Sequence, residues 1–425
     1  MNRKPSMLVV FLTVFIDLIG FGIVLPQLPL YAKSYHANGL ELGLLMASFS
    51  AMQFIFAPWW GHWSDRMGRR PVLLISIAGS VVAYAWFAAA TQFTGATALW
   101  LIIGSRVFAG ICGANITVAQ AYIADITPPE NRSKRMGLIG MAFGLGFIFG
   151  PWIGGRSADW FGESGPGLVA SALCLANLIL AFFILPESWT PAAEPVARRA
   201  HLAQWKHTLQ QPTVGLLVMV FFLATFCFTC FELTLGLIIS LNFGLDLQND
   251  GDLHLARHIA GTLFMYCGIV GALVQGGPIG WLVKKFGERK LIAGSMFITA
   301  ASLALVPLVQ GDIHQTGELS WHLLFSGKGG PWWALLGVLA LLAIGTGLTR
   351  PPLFGLLSNL TPASEQGATI GIAQGSGSLA RIAGPMFAGV FFQAHPSLPY
   401  FVCAGIAFLT GLIGWQYLVT RAKLF

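Results

Sequence analysis

The chain has 425 residues, of which 55% are hydrophobic and only 10% charged, against roughly 25% charged in a typical soluble domain. With 32 Phe, 14 Trp, 51 Gly and a mean hydropathy of +0.71, a string of soluble domains is excluded and an integral membrane protein is expected. The formal charge of +7 invites a nucleic-acid partner. The basic residues fall instead in short loops between apolar runs, where anionic lipid accounts for them and no nucleic acid is needed.

Arg3 and Lys4 precede the first apolar run, 7–31. That run is longer than a secretory h-region of roughly 7–15 residues, and no small-residue cleavage site follows it, so it is expected to be kept as span 1. A membrane helix needs roughly 20 apolar residues. Eleven further runs of that kind follow, at 40–60, 72–92, 98–122, 136–158, 166–185, 213–241, 258–283, 290–310, 331–358, 369–393 and 398–420. The runs are continuously apolar instead of alternating, which excludes a strand barrel. The expected fold class is therefore all-α integral membrane, with twelve transmembrane helices. The six cysteines, Cys112, Cys174, Cys227, Cys230, Cys267 and Cys403, all lie in apolar segments, so no disulfide framework is expected.

Most of the 24 Lys and Arg lie on one side. Arg66, Arg69, Arg70, Arg132, Lys134, Arg135, Arg198, Arg199, Lys206, Lys284, Lys285, Arg289 and Lys290 share the side of the N-terminus, while only Lys33, Arg257 and Lys328 face the other. The positive-inside rule then places both termini in the cytoplasm of a bacterial inner membrane. The longest loop on that side, 187–212, is rich in Pro, Ala and basic residues and reads as a cytoplasmic linker. It separates a six-helix bundle at 1–186 from a second at 213–425.

The two halves resemble each other. Gly61-x3-Asp65-Arg66-x-Gly68-Arg69-Arg70 follows span 2, and Gly280-x3-Lys284-Lys285-x-Gly287-Glu288-Arg289-Lys290 follows span 8. At one constant offset, Thr127, Pro128, Gly137, Leu145, Ile148, Gly150, Pro151 and Gly155 align with Thr361, Pro362, Gly371, Leu379, Ile382, Gly384, Pro385 and Gly389. Repeated halves are the build of transporters that rock one bundle against the other around a site near the midplane. A membrane-embedded enzyme or receptor is the rival class, and no HExxH, GxSxG or Walker loop supports it.

Of the 17 acidic residues, Asp17 and Glu232 lie well inside spans. An acid at mid-membrane costs about 2.5–3.5 kcal/mol on insertion scales, so each is a candidate functional group. Asp17 sits roughly 15 Å into span 1, and Thr13, Asp17 and Gly20 share one helical face. It is expected to couple protons, with a plain interhelical hydrogen bond as the alternative. Thr225, Thr229, Glu232 and Gly236 form one face of span 7, where Glu232 serves either proton coupling or an outer gate. Arg106 is the expected partner of an intramembrane carboxylate, or else a structural donor to helix carbonyls. Arg381 is a second buried cation able to meet Glu232 or an anionic group of the substrate, whereas Arg350 is expected to snorkel to the surface. Gln53, Asn115, Gln120, Gln275 and Gln374 are candidate substrate contacts, because amides at span depth face the bundle interior, toward cargo or toward another helix. Asp65 can cap a facing helix N-terminus, with Arg66, Arg69 and Arg70 bridging to lipid or to the other bundle, in a loop that acts as a latch or only sets topology. Gly68 lies in the same loop. Gly146, Gly150 and Gly154 give span 5 a small-residue seam, and Pro151 favours a bend there.

Gly61-His62-Trp63-Ser64-Asp65-Arg66-Met67-Gly68-Arg69-Arg70 resembles the loop-2/3 signature of the major facilitator superfamily. Gly146-x3-Gly150-Pro151-x2-Gly154-Gly155 resembles its antiporter motif, and Arg106-x3-Gly110 the span-4 motif whose Arg is implicated in proton transfer. Leu25-Pro26-x2-Pro29, the run Ala51 to Pro58, Ala121-Tyr122-Ile123-Ala124-Asp125-Ile126-Thr127 and Leu185-Pro186-Glu187-Ser188 look like the tetracycline-efflux branch, whose span-1 carboxylate matches Asp17. The chain departs from that branch at Ala83 beside Tyr84, at Phe297-Ile298-Thr299-Ala300 and at Gly271, where the branch carries titratable side chains, although Gln275 is kept. The resemblance implies a proton-coupled antiporter, not an enzyme. It would export small amphipathic organic compounds, need no metal or cofactor, sit among membrane lipids and work as a monomer. An exporter of one specific metabolite or siderophore is the alternative.

Overall fold

The computed structural model describes residues 7–24, 28, 31, 35, 39–113, 115–189, 201–245, 250–313 and 329–420. In order, the helices are α1 (Met7–Val24), α2 (Gly39–Met67), α3 (Arg69–Ala90), α4 (Gly95–Cys112), α5 (Asn115–Ile126), α6 (Arg132–Phe161), α7 (Gly165–Ile184), α8 (His201–Gln210), α9 (Pro212–Asn242), α10 (Asp250–Gly276), α11 (Ile279–Phe286), α12 (Glu288–Leu305), α13 (Gly330–Leu360), α14 (Gln366–Ala394) and α15 (Leu398–Gly414). Helices satisfy their own backbone polar groups, which hydrocarbon cannot do, so continuous apolar runs fold this way. Large apolar side chains such as Phe183, Leu273, Met386 and Val390 stand exposed, facing outward as lipid contact requires.

Among the described residues, ten stretches are long and apolar enough to cross a membrane. The two long helices left out are α2 and α14, each 29 residues. They carry the polar side chains Gln53, Asp65, Gln374, Ser378 and Arg381, each of which bonds to a partner in the other half. With them, twelve long helices occupy the twelve expected spans. Three spans are interrupted. The fourth breaks at Gly113 into α4 and α5, the eighth turns at Gly277 and Pro278 into α11, and the twelfth finishes in a π-helical turn at Trp415–Thr420. Apolarity alone does not register such breaks.

The linker holds a helix that composition had concealed. In α8, Trp205 packs on Phe54 of α2 with ring centroids 5.6 Å apart and planes tilted by 53°, and lies against Gly375 of α14, and His207 is 3.5 Å from Glu365. Within each half the helices pack tightly, α1 on α6 and α7, α3 on α4 and α7, α12 on α13 and α15, α9 on α14. Between the halves, α2 meets α14 and α6 meets α10 and α13. Spans 2 and 8, and spans 5 and 11, carry the two internal repeats; Gly137 and Gly371 meet the other half at Gln275 and Ala57, while Gly150 and Gly384 pack on Gly22 and Thr229 inside their own halves. The turns after spans 2 and 8 match in detail: Gly68 has φ 99° and Gly287 φ 80°, a left-handed conformation that favours glycine.

Candidate functional site: a central cavity closed at one end

A cavity of about 250 Å³ lies between the halves. The first half contributes Asp17 and Phe21 from α1, Phe49 and Gln53 from α2, and Tyr84 from α3. The second half contributes Thr229 and Glu232 from α9, Gln275 from α10, Arg350 from α13 and Arg381 from α14. Phe143, Phe228, Phe231 and Phe264 complete an aromatic wall, so few polar groups stand on apolar surface, as ligand sites are built.

Asp17 reaches this cavity from α1, while positions along the same helix pack within the first half. Thr13 turns to Val9 and its carbonyl receives Asn177 at 2.8 Å, while Gly20 lies against Cys174 and Tyr84. Arg106 is buried behind the cavity, with its guanidinium over the rings of Phe49 at 4.8 Å and Phe21 at 5.8 Å. Tyr84 interacts with both Asp17 and Arg106 and so links the two charges that sequence reasoning had paired directly.

On the opposite wall, Glu232 interacts with Arg381 and Arg350, and the two arginines repel each other. Arg350 does not reach the surface. It lines the cavity, its guanidinium 5.9 Å from the Phe221 ring and 5.8 Å from Phe228, because helix α13 turns that face inward. Arg381 donates to Gln53 Oε1 at 3.3 Å, and Ser378 donates to the same oxygen at 3.0 Å. Gln53 and Gln275 therefore line the cavity. Gln120 and Gln374 do not: they bond each other across the halves at 2.8 Å. The side chains of Asn115 and Pro151 lie outside the described residues, although helices α5 and α6 include their backbones.

The described hydrogen bonds between the halves lie at the cavity or toward one end, where Lys134, Arg135, Lys284 and Lys285 are exposed; we call it the basic end. Asp65, on the last turn of α2, accepts from the backbone N–H groups of Gly367 and Ala368 at 3.0 and 2.9 Å, capping the N-terminus of α14. A partly buried carboxylate at a helix N-terminus gains up to about 2 kcal/mol from the helix dipole. Arg69 is fully buried and joins Asp65 at 2.5 Å to Asp125 at 2.9 Å. Arg70 donates to the Phe182 carbonyl at 2.7 Å. Neither arginine bridges to the other half, because their own half supplies the acceptors; Arg66 lies near His62. Glu187 accepts from the N–H groups of Arg69, Arg70, Ser188 and Trp189, and a Cβ at Gly68 would press into its carboxylate.

Arg132 donates to the Ser358 carbonyl at 3.2 Å and to Asn359 Oδ1 at 3.0 Å, a second tie between halves. Backbones come close at Gly61 and Gly367, where a Cβ on either would collide with the other's carbonyl oxygen, and at Gly144 and Gly268. The glycine seam of span 5 serves a contact inside the first half instead: Gly146 packs on Leu18 and Gly150 on Gly22, while Gly154 is buried. Asp125, Arg132, Glu187, Asn359 and Ser378 were not singled out as site residues from the sequence, and Arg350 was expected at the surface. Asp125 and Glu187 stood within family-like runs, but nothing in one sequence pairs them with Arg69 and the α3 N-terminus.

Two sets of helices around a largely apolar cavity with a few charged groups, closed at one end and related by repeats, define a membrane transporter, not an enzyme. The chain belongs to the major facilitator superfamily, whose family model matches residues 10–316 and 250–424. It is 32% identical over 404 residues to the class E tetracycline resistance protein of Escherichia coli, covering 93% of this chain and 89% of that one. It is 28% identical over 424 residues to Multidrug resistance protein 2 of Bacillus subtilis strain 168, covering 97% and 94%. The fold also matches the human organic anion transporter MFSD10 (TETRAN) with a TM-score of 0.77 at 23% identity, covering 97% of this chain and all of that one.

Proposed function

We propose that this transporter is a proton-coupled antiporter that exports small amphipathic organic compounds by alternating access. In this reading it resides in the bacterial inner membrane as a monomer, with both termini and the basic end in the cytoplasm. The observation that carries it is the placement of Asp17 on the wall of the cavity, opposite Glu232, with the cavity sealed at the basic end. With that end sealed, Asp17 takes a proton from outside as cargo leaves. The bundles then rock, and the proton is released to the cytoplasm as new cargo enters. Tyr84, which interacts with Asp17 and Arg106, passes the change of charge to the guanidinium. The names of relatives, tetracycline resistance and multidrug resistance proteins, support amphipathic drug-like cargo. One proton moving down 100 mV supplies about 2.3 kcal/mol, enough for roughly 50-fold accumulation, so one coupling carboxylate suffices.

In proteoliposomes under an imposed pH gradient, Asp17→Asn is expected to abolish pH-driven exchange of a fluorescent drug while the protein still folds. Undiminished exchange by this variant would overturn the proton role of Asp17.

A further inference from the structure

We propose that the second-half wall of the cavity is a seat for a single anionic group, so that the cargo is an amphipathic monoanion: an aromatic body carrying one carboxylate or comparably acidic group. Three charged side chains line this wall, Glu232, Arg350 and Arg381. Among the described residues these three formal charges sum to one positive charge, two guanidinium groups against one carboxylate. Asp17 on the facing wall balances the cavity as a whole, but the excess positive charge of this wall, set among aromatic rings, favours a counter-charge placed beside it. Glu232 answers for one arginine; the incoming anion answers for the other.

The remaining partners of the arginines leave this preference standing. Arg350 rests between the Phe221 and Phe228 rings, which attract a cation without neutralising it. Arg381 donates to Gln53 Oε1, a neutral acceptor from the other half, at 3.3 Å, a length at the weak end of the range. A guanidinium also carries five donors in a planar fork suited to two carboxylate oxygens, so donors remain for a ligand. The rings of Phe228, Phe231 and Phe264 stand beside the arginines and supply the apolar surface for the body of the same molecule. The first-half wall has the opposite character, since its lining charge is Asp17 while Arg106 lies behind Phe21 and Phe49. An anion is thus oriented, acidic group toward α13 and α14 and away from Asp17 on α1, aromatic part along the rings of α9 and α10.

The inference rests on the export reading above, but its test is an equilibrium measurement that needs no proton gradient. The full chain in lipid nanodiscs is titrated with 2-naphthoate, with the neutral 2-naphthamide and with the cation 2-naphthylmethylammonium, and intrinsic tryptophan fluorescence is recorded. Naphthoate should bind at least ten-fold more tightly than the amide, and the ammonium most weakly. Arg350→Gln and Arg381→Gln should each bring the naphthoate-to-amide ratio close to one. The charge-keeping Arg350→Lys and Arg381→Lys should retain most of the preference, and Glu232→Gln, which frees a second guanidinium, should increase it several-fold. Equal or absent binding of naphthoate by the unaltered chain, a preference for the ammonium, or a ratio untouched by both glutamine variants would overturn the proposal. A retained anion preference in a protein whose transport ignores the pH gradient would refute proton coupling and leave the anion seat intact.

Discussion

Asp65 accepts a hydrogen bond from the backbone N–H of Gly367 at 3.0 Å, across 302 residues of sequence. The contact joins a side chain of the first half to the first turn of a helix of the second. It combines charge with helix polarity, and the carboxylate is 1% exposed, so salt screens it little. It is therefore the natural fastening of the basic end.

Asp65→Asn keeps one acceptor but loses the charge and the ion pair with Arg69. The closed end is expected to weaken by about 1–2 kcal/mol, the size of a charge at a helix terminus. In the transport cycle this reads as slower turnover at nearly unchanged binding. A fall in Vmax of roughly ten-fold or less, with cargo affinity within two-fold, would match; a large loss of affinity with normal turnover would not.

At Gly61 the two halves meet backbone to backbone, and a methyl group has no room against the Gly367 carbonyl. Gly61→Ala should push the halves apart at the basic end while leaving each half folded. The measurable sign is faster thiol labelling of a cysteine placed at Ser378, applied from the basic side. Labelling as slow as in the Ser378→Cys parent would show that the interface yields without opening.

Arg69 satisfies two carboxylates at once, through Nε to Asp125 and a terminal nitrogen to Asp65, at 0% exposure. A lysine is a point charge without that fork. Arg69→Lys leaves a buried carboxylate short of its partner, and losses of 3–5 kcal/mol accompany broken buried pairs. A clear drop in detergent melting temperature is expected, larger than for Arg70→Lys, whose residue donates to a carbonyl at the surface of its own half. Equal melting of the two variants would contradict the network.

Glu187 caps α3 from within the same half, so its role is separable from that of Asp65. Glu187→Gln should cost about 1 kcal/mol of stability, as cap losses do, without changing the rate of thiol labelling at the basic end. A labelling rate that rises as much as in Asp65→Asn would place Glu187 in the fastening itself.

Much of the fold was legible because hydrocarbon enforces one rule. Twelve apolar runs gave twelve long helices among the described residues, and the repeats included Gly61 and Gly137, where the halves meet. Helix α8 was hidden because Trp205 and Leu202 stand in a polar, basic segment where hydropathy is low. The cavity was legible at Asp17, Glu232, Gln53, Gln275 and Arg381, each an uneconomical side chain for a lipid-facing surface. Arg350 was misread, since its position near the end of span 10 fits both snorkelling and an inward turn, and only the packing of α13 on α12 and α10 decides between them. Gln120 and Gln374 show the converse: a buried amide signals an interior position, but whether it meets cargo or another amide depends on helices far apart in sequence.

The grip of Glu187 on the start of α3, and the seating of Trp205 against Phe54 and Gly375, anchor the two ends of the connection between halves. Only residues 190–200 lie between Trp189 and the start of α8. Eleven residues at roughly 3.3–3.6 Å each span at most about 40 Å. In an alternating-access cycle that length would bound the distance between Trp189 and the start of α8. Lengthening that stretch with Gly-Ser insertions would alter how far the molecule swings without touching a single residue of the cavity.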